Sequence, residues 1–497
     1  MAVVTWDGSS STAYSTAANW DTGSVPADGD DVIIPDTSGG SINACNVDSN
    51  DSCNSLTVLA NGEIGSNAGA KLFILGEADG TGATTDGYAV NIGGIITDNT
   101  TTSLDLDIRT EAATNVDLVP SSGSTIRNLT INHASAVVNL RSAHTTLSGN
   151  LTIAAGQLDT YNSGSNINLT VTKHIDVTGT LTGNASAIST GTMTIRDGAT
   201  LTSAGTITVT GEDVANSPSG ANWLWRQLED DGTGFAPTAG TVHFNHASNL
   251  NGKHINESKF YNLTLTAGTG HDVAWTPKTA DTLTVSKDLT IVEGQLKRNV
   301  EANTLVVTED VSIESGGVLG DNDETGPNTF GSLTIASGGT YKATSGTTTI
   351  TSMTSTGSGD RSLSLVSGGT FTNNSGTVLF NGGADQRLQM AGTGNLYNLT
   401  VNKADNEFVT FGNLTILNNL DVTLAADHTW RPNATSDTLT VHGNTYLTTG
   451  RINNGSTQYA GINNWGNVTI NSGEFVLSSG TNNFTGIRNV GGTVSQS

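Results

Sequence analysis

One offset constrains the fold of this chain more than any local propensity. GTVHFN begins at Gly240 and GTVLFN at Gly376, while FYNLTL begins at Phe260 and LYNLTV at Leu396; both pairs lie 136 residues apart. Two unrelated motifs that share one spacing mark a tandem duplication, and a repeat of this kind decides the architecture. An earlier copy is visible in IRNLTI, whose Asn128 aligns with Asn262, and in LTIAAGQL from Leu151, which matches LTIVEGQL from Leu289. GTMTIRDGATL from Gly191 matches both GSLTIASGGTY from Gly331 and GNVTINSGEFV from Gly466. The third copy is longer between landmarks, since the equivalent Trp275 and Trp430 stand 155 residues apart. These matches divide the sequence into an N-terminal region, 1–125, and three modules, 126–259, 260–395 and 396–497, the last of them shortened.

Inside each module the unit is smaller. Triplets of the form L-T-[IV] recur, each followed by Gly or Asn. Leu129, Leu151, Leu169 and Met193 lead such triplets at spacings of 22, 18 and 24, and Leu263, Leu283 and Leu305 at 20 and 22. Alternation of apolar and polar residues sends one face of each strand inward. A spacing near twenty exceeds the turnover of about eight to twelve residues expected of sandwich strands. It fits one coil of a β-solenoid, which buries its apolar face only by stacking on its neighbours. The expected fold is therefore all-β: an elongated parallel β-solenoid (β-helix) built from tandem modules behind an N-terminal cap region. A string of β-sandwiches, one per module, is the alternative.

Composition follows from that geometry. Only 13% of residues are charged and 60 are glycine, against about 25% charged in an ordinary soluble domain. Stacked coils place like over like at about 4.8 Å. Columns of Asn and Thr then share hydrogen bonds, columns of Val, Ile and Leu make a narrow core, and columns of like charge repel. The imbalance of 20 Lys+Arg against 45 Asp+Glu gives a net charge of −25. Such a field disfavours a phosphate-neutralising nucleic-acid binder and an anionic membrane surface. No apolar run approaches the roughly 18 residues of a membrane span. MAVVTWDGSS has neither a basic nor an apolar leader segment, so the expectation is folding in the cytoplasm or export without an N-terminal signal.

The opening pattern is Trp6-Asp7-Gly8, Asn19-Trp20, Val25-Pro26 and Asp30-Asp31-Val32-Ile33-Ile34. It resembles the cap-like start of β-helical bacterial surface proteins and of bacteriophage structural proteins. The FYNLT-type modules are similar to those of phage tail and virion fibre proteins. The resemblance implies a structural protein of the virion surface, assembled in the host cytoplasm. Such a protein self-associates, as a homotrimer or another homo-oligomer, contacts other virion proteins and attaches to a host cell-surface glycan or protein. A repetitive secreted adhesin, surface-layer or filament subunit is the second reading, which would place the chain outside the cell or on its surface. A polysaccharide-cleaving spike is the third.

Candidate side chains were sought against that background. A solenoid needs its terminal coil covered, and Trp6 and Trp20 suit a structural cap. Cys45 and Cys53 flank the polar turn Val47–Asp51; a disulfide clipping the turn and two small buried thiols are both open readings. The stretch 213–239 is longer than its counterpart in the next copy and carries Trp223, Trp225 and Phe235 beside Arg226. Exposed, these aromatics form a sugar-stacking or subunit-contact patch; buried, they anchor a long loop. Glu229-Asp230-Asp231, Asp321-Asp323-Glu324 and Asp28-Gly29-Asp30-Asp31 are acidic clusters that suit solvation, weak calcium ligation or a carboxylate pair across a sugar. None of the nine histidines has metal-ligand spacing, and no nucleophile elbow, Walker loop or dinucleotide fingerprint is present. The expectation is a non-enzyme without cofactor or metal.

Overall fold

Short Leu, Ile, Val and Thr runs become strands because their branched side chains pack well on a pleated surface, and the Gly and Asn between them turn the chain. The computed structural model describes residues 2–93, 95–96, 104–111, 113–118, 126–141, 144–211, 222–228, 234–246, 252–277, 281–353, 360–453, 463–477 and 480–496. The only helical element among them is one 3-10 turn, Ala17–Asn19. The chain is a parallel β-solenoid. Strand ladders among the described residues are parallel, apart from the small hairpin of Tyr161–Asn162 with Ser165–Asn166 and a bridge between Trp6 and Trp20. That parallel register excludes the sandwich alternative, whose sheets are antiparallel. Two compact units emerge, Met1–Asn245 and His246–Ser497, and they do not coincide with the sequence modules.

In the first unit, coils already stack well ahead of residue 126. Val4, Val32, Leu56, Val90, Val116 and Leu140 lie one above another in register. A second column runs Leu129, Leu151, Ile175, Met193, Trp225. Leu169 does not belong to it. Leu169 pairs with Thr145 on one side and Ile188 on the other, a third column. The same triplet thus serves more than one face of each coil, and equal spacing along the sequence mixes faces. In the second unit Leu263 leads to Leu289, Val311, Leu333, Leu363 and Leu388, whereas Leu283 stacks on Leu305 in a separate column. The inward Leu, Ile and Val residues are almost wholly buried, each worth about 1.5–3 kcal/mol relative to exposure.

The repeated motifs coincide with repeated structure. Asn128, Asn262 and Asn398, the asparagines of the IRNLTI, FYNLTL and LYNLTV motifs, each accept the backbone N–H of a residue one coil later. These donors are Asn150 at 2.8 Å, Asp288 at 3.2 Å and Asn419 at 3.2 Å. The ladder continues from Asp288 to the Asp310 N–H and from Asn419 to the Asn444 N–H. Gly156 and Gly294, equivalent in the two GQL motifs, both sit at positive φ, 76° and 83°. A Cβ at Gly156 would lie 2.5 Å from the His133 carbonyl and one at Gly294 would lie 2.8 Å from the Ala267 side chain, so backbone conformation and space both require glycine. Charges pair across coils: Arg127 with Asp105, Arg196 with Asp176 and Arg431 with Glu407, at 2.7, 2.6 and 2.8 Å.

Candidate functional site

The aromatic insertion is built on the strand Trp223–Gln227, which pairs with the strand Ile188–Ile195 through Met193 opposite Trp225. Trp225 therefore continues a core column. It is fully buried, with its ring centroid 5.0 Å from Phe235 and 6.5 Å from Phe244. Phe235 is buried too and bridges to Leu201. The exposed, ligand-stacking reading fails for these two residues, because the strand register directs them onto the core of the preceding coils. They anchor. Trp223 is only half-buried, with the Arg226 guanidinium 5.4 Å from its ring centroid. Glu229, Asp230 and Asp231 lie outside the described residues. Trp225→Ala is expected to lower stability by about 3–5 kcal/mol. Trp223→Ala removes a partly exposed cation–π contact, worth about 0.5–1 kcal/mol. Hydrogen exchange across Ile188–Ile195 reads the difference.

Beside this anchor is a cavity of about 230 Å³ lined by Asn184, Thr202, Ser203, Pro237 and Thr238 among others, with no charged side chain among the described residues of its wall. It is smaller than the roughly 300–1,000 Å³ of small-molecule pockets. Its hydroxyls and amide suit surface contact better than enclosure of a substrate.

Most of the described acidic-cluster residues contact neighbouring groups. Glu324 is buried and pairs with the buried Arg298. Asp321 lies between Lys342 and Lys297, at 3.4 and 3.9 Å, and Lys297 also holds Asp272 at 2.7 Å. The Lys297 ammonium keeps the Asp272 carboxyl below its ordinary range against the opposing effect of burial. Asp28 accepts from Ser52, Asp30 from the Ala2 and Ala27 N–H groups, and Asp31 from Asn54 and Ser55. These are corner-holding contacts.

The N-terminal aromatics pack into one buried cluster. Trp6 and Trp20 are buried edge to face with centroids 5.0 Å apart, and Tyr14 meets Trp20 at 4.7 Å. Each indole N–H is satisfied, Trp6 donating to the Asn43 carbonyl and Trp20 to the Tyr14 carbonyl. Cys45 and Cys53 are free and buried, so the disulfide reading gives way to the thiol one. The two residues sit on strands with different partners, Glu63–Ser66 and Leu72–Ile74. The turn between them is held instead by Asp48, which accepts from the Ser15 N–H and hydroxyl, and by Asp51, which accepts from Ser49. Burial pushes both thiols well above their ordinary pKa. Since the thiolate is the reactive form, neither cysteine is expected to react with a disulfide reagent at pH 8 until the protein is unfolded. Thiol titration with and without denaturant checks this.

Sequence reasoning missed Arg298 and Lys403. Lys403 is buried and its ammonium donates to the Gly382 and Ala384 carbonyls and the Gln386 amide oxygen. The signal for Arg298 was available as an opposite charge one coil on, at Glu324. No protein-family model, curated protein or solved structure matches this chain.

Proposed function

We propose that this chain is a structural subunit of a tailed-phage virion appendage, a fibre or spike that carries contacts to the host surface. The observation that supports this most is the parallel ladder within each unit, locked coil to coil by the Asn residues of the NLT motifs. Stacking of this kind gives stiffness from main-chain hydrogen bonds and repeats one surface many times. Repeated weak contacts bind avidly without a deep pocket, which agrees with the shallow, uncharged cavity beside Phe235. In this reading the chain self-associates, meets other virion proteins at its ends and touches host glycan or protein along its sides. Mass spectrometry of gradient-purified virions tests it, with the protein expected in stoichiometric amount. Its absence from particles, with recovery from a bacterial cell surface, would overturn the proposal in favour of an adhesin or filament subunit.

A further inference from the structure

One pair of cations in the second unit departs from the cross-coil pairing of charges. Arg109, Arg127, Arg196, Arg298, Arg431 and Arg451 each hold a carboxylate. Arg361 and Arg387 are instead neighbours of each other. The strand Leu363–Leu365 lies against Gln386–Met390 with Leu363 opposite Leu388. That register sets Ser362 opposite Arg387, and the Ser362 hydroxyl accepts the Arg387 N–H at 3.1 Å. The two arginines thus leave adjacent coils, whose strands are about 4.8 Å apart. No carboxylate lies within 4.0 Å of the Arg387 guanidinium among the described residues. The Arg361 guanidinium lies over the Phe411 ring, 3.6 Å from its centroid. Phe411 ends the next strand, Phe408–Phe411, where it stands opposite Gln389. Arg387 and Gln389 alternate with the buried Gln386 and Leu388, so both are on the outward side and only half-buried. Burial and then the charge of Arg387 push the Arg361 pKa below its ordinary value, against the opposing effect of Asp360.

We propose that Arg361 and Arg387 form a binding site for the carboxylate groups of an acidic polysaccharide. The chain has 45 acidic and 20 basic residues, and two cations set side by side in it repel until an anion joins them. Each guanidinium presents a planar fork that matches a carboxylate with two hydrogen bonds. Contact with the Phe411 ring holds Arg361 in place before a ligand arrives, so less freedom is lost on binding. Gln389 adds an amide for a sugar hydroxyl beside them. A dense phosphate polymer fits less well, since nucleic acid is held by many cations and the net charge of −25 opposes it over a longer range. A sugar chain with one carboxylate among neutral hydroxyls meets the local attraction with far less of that repulsion. The site gives a ligand class to the host contact proposed above and rests on that reading only for where the polymer is met.

Isothermal titration calorimetry of the 497-residue protein with an oligogalacturonate tests the site, with the fully methyl-esterified chain as the uncharged control and polyphosphate as the competing anion. The acid form is expected to bind, more weakly as salt is raised, and the ester to give little heat. Arg387→Gln is expected to weaken binding about tenfold or more, and Arg361→Gln to do the same. Arg387→Lys, which keeps the charge without the fork, should lose less. Lys287→Gln removes an exposed cation elsewhere in the same unit and leaves the affinity unchanged. Equal binding of acid and ester, tighter binding of polyphosphate, or an affinity unchanged in both glutamine variants would each overturn the proposal. Purified protein is used throughout, so absence of the chain from virions would leave a positive result standing, and loss of this site would leave a virion assignment standing.

Discussion

Replacing Glu324 by Ala is expected to destabilise the second unit by about 3–5 kcal/mol, the range for removing one partner of a buried ion pair. Arg298 is buried, and its guanidinium is surrounded by acceptors: the Asn303 carbonyl at 2.6 Å, the Gly326 and Pro327 carbonyls at 3.3 Å, Asn328 and Glu324. Burial lowers its pKa to about 10, so it stays charged at neutral pH and loses its carboxylate partner in the variant. Glu324 also accepts the Arg298 backbone N–H at 2.9 Å, and the network runs on from Asn328 through the Tyr341 hydroxyl to Thr348. The double variant Arg298→Met with Glu324→Leu is expected to cost less than Glu324→Ala, because no orphaned charge remains. Coils contact only their neighbours, so global unfolding need not be two-state. Hydrogen exchange at Thr304–Ile313 and Asn328–Ile335 is the appropriate measurement. Protection there within about 1 kcal/mol of the parent would show that carbonyls alone hold the guanidinium.

The same network marks where reading the sequence stopped. The IRNLTI, FYNLTL and LYNLTV motifs announced the repeat, whereas the bonds of Asn128, Asn262 and Asn398 to the next coil were legible only as columns of Asn in general. The core columns were legible as a type and not as an assignment. Leu151 and Leu169 head triplets of one type, Leu-Thr-Ile and Leu-Thr-Val, yet Leu151 stacks on Leu129 and Leu169 on Thr145. Nothing local distinguishes two faces that obey the same alternation. The aromatic insertion was legible as a departure from the repeat, but whether Trp225 pointed in or out depended on its register against Met193, a non-local fact. The pairing of Arg298 with Glu324 went unread for a different reason, although both charges stand one coil apart in the sequence. In a chain so poor in charge, each ion reads as a surface group, and only coil stacking reveals that two of them share the interior.

Trp20→Ala is expected to cost about 3–5 kcal/mol as well, but with a different spatial signature. Trp20 packs against Trp6 and Tyr14, and its neighbour Asn19, fully buried, accepts the Ser10 and Ser11 N–H groups and donates to Ser11 and to the Ala13 carbonyl. These residues thus form one apolar cluster and one polar knot beside the strand Val3–Thr5. In a stack, losing the plug frees the first coil and leaves more distant coils to their own neighbours. Exchange is expected to rise most in Val3–Thr5 and Asp31–Ile34, less in Ser55–Val58, and little in Tyr88–Ile92, which follow one another in the ladder. The uncovered strand edge then becomes a pairing template, so light scattering should grow with protein concentration in the variant and not in the parent. Trp20→Phe separates packing from hydrogen bonding, since it keeps a ring and loses only the donor to the Tyr14 carbonyl, a change of about 1 kcal/mol. Equal loss of protection through the whole first unit would mean that these coils unfold as one block. Unchanged protection at Val3–Thr5 would mean that the tryptophan pair is not what closes this end.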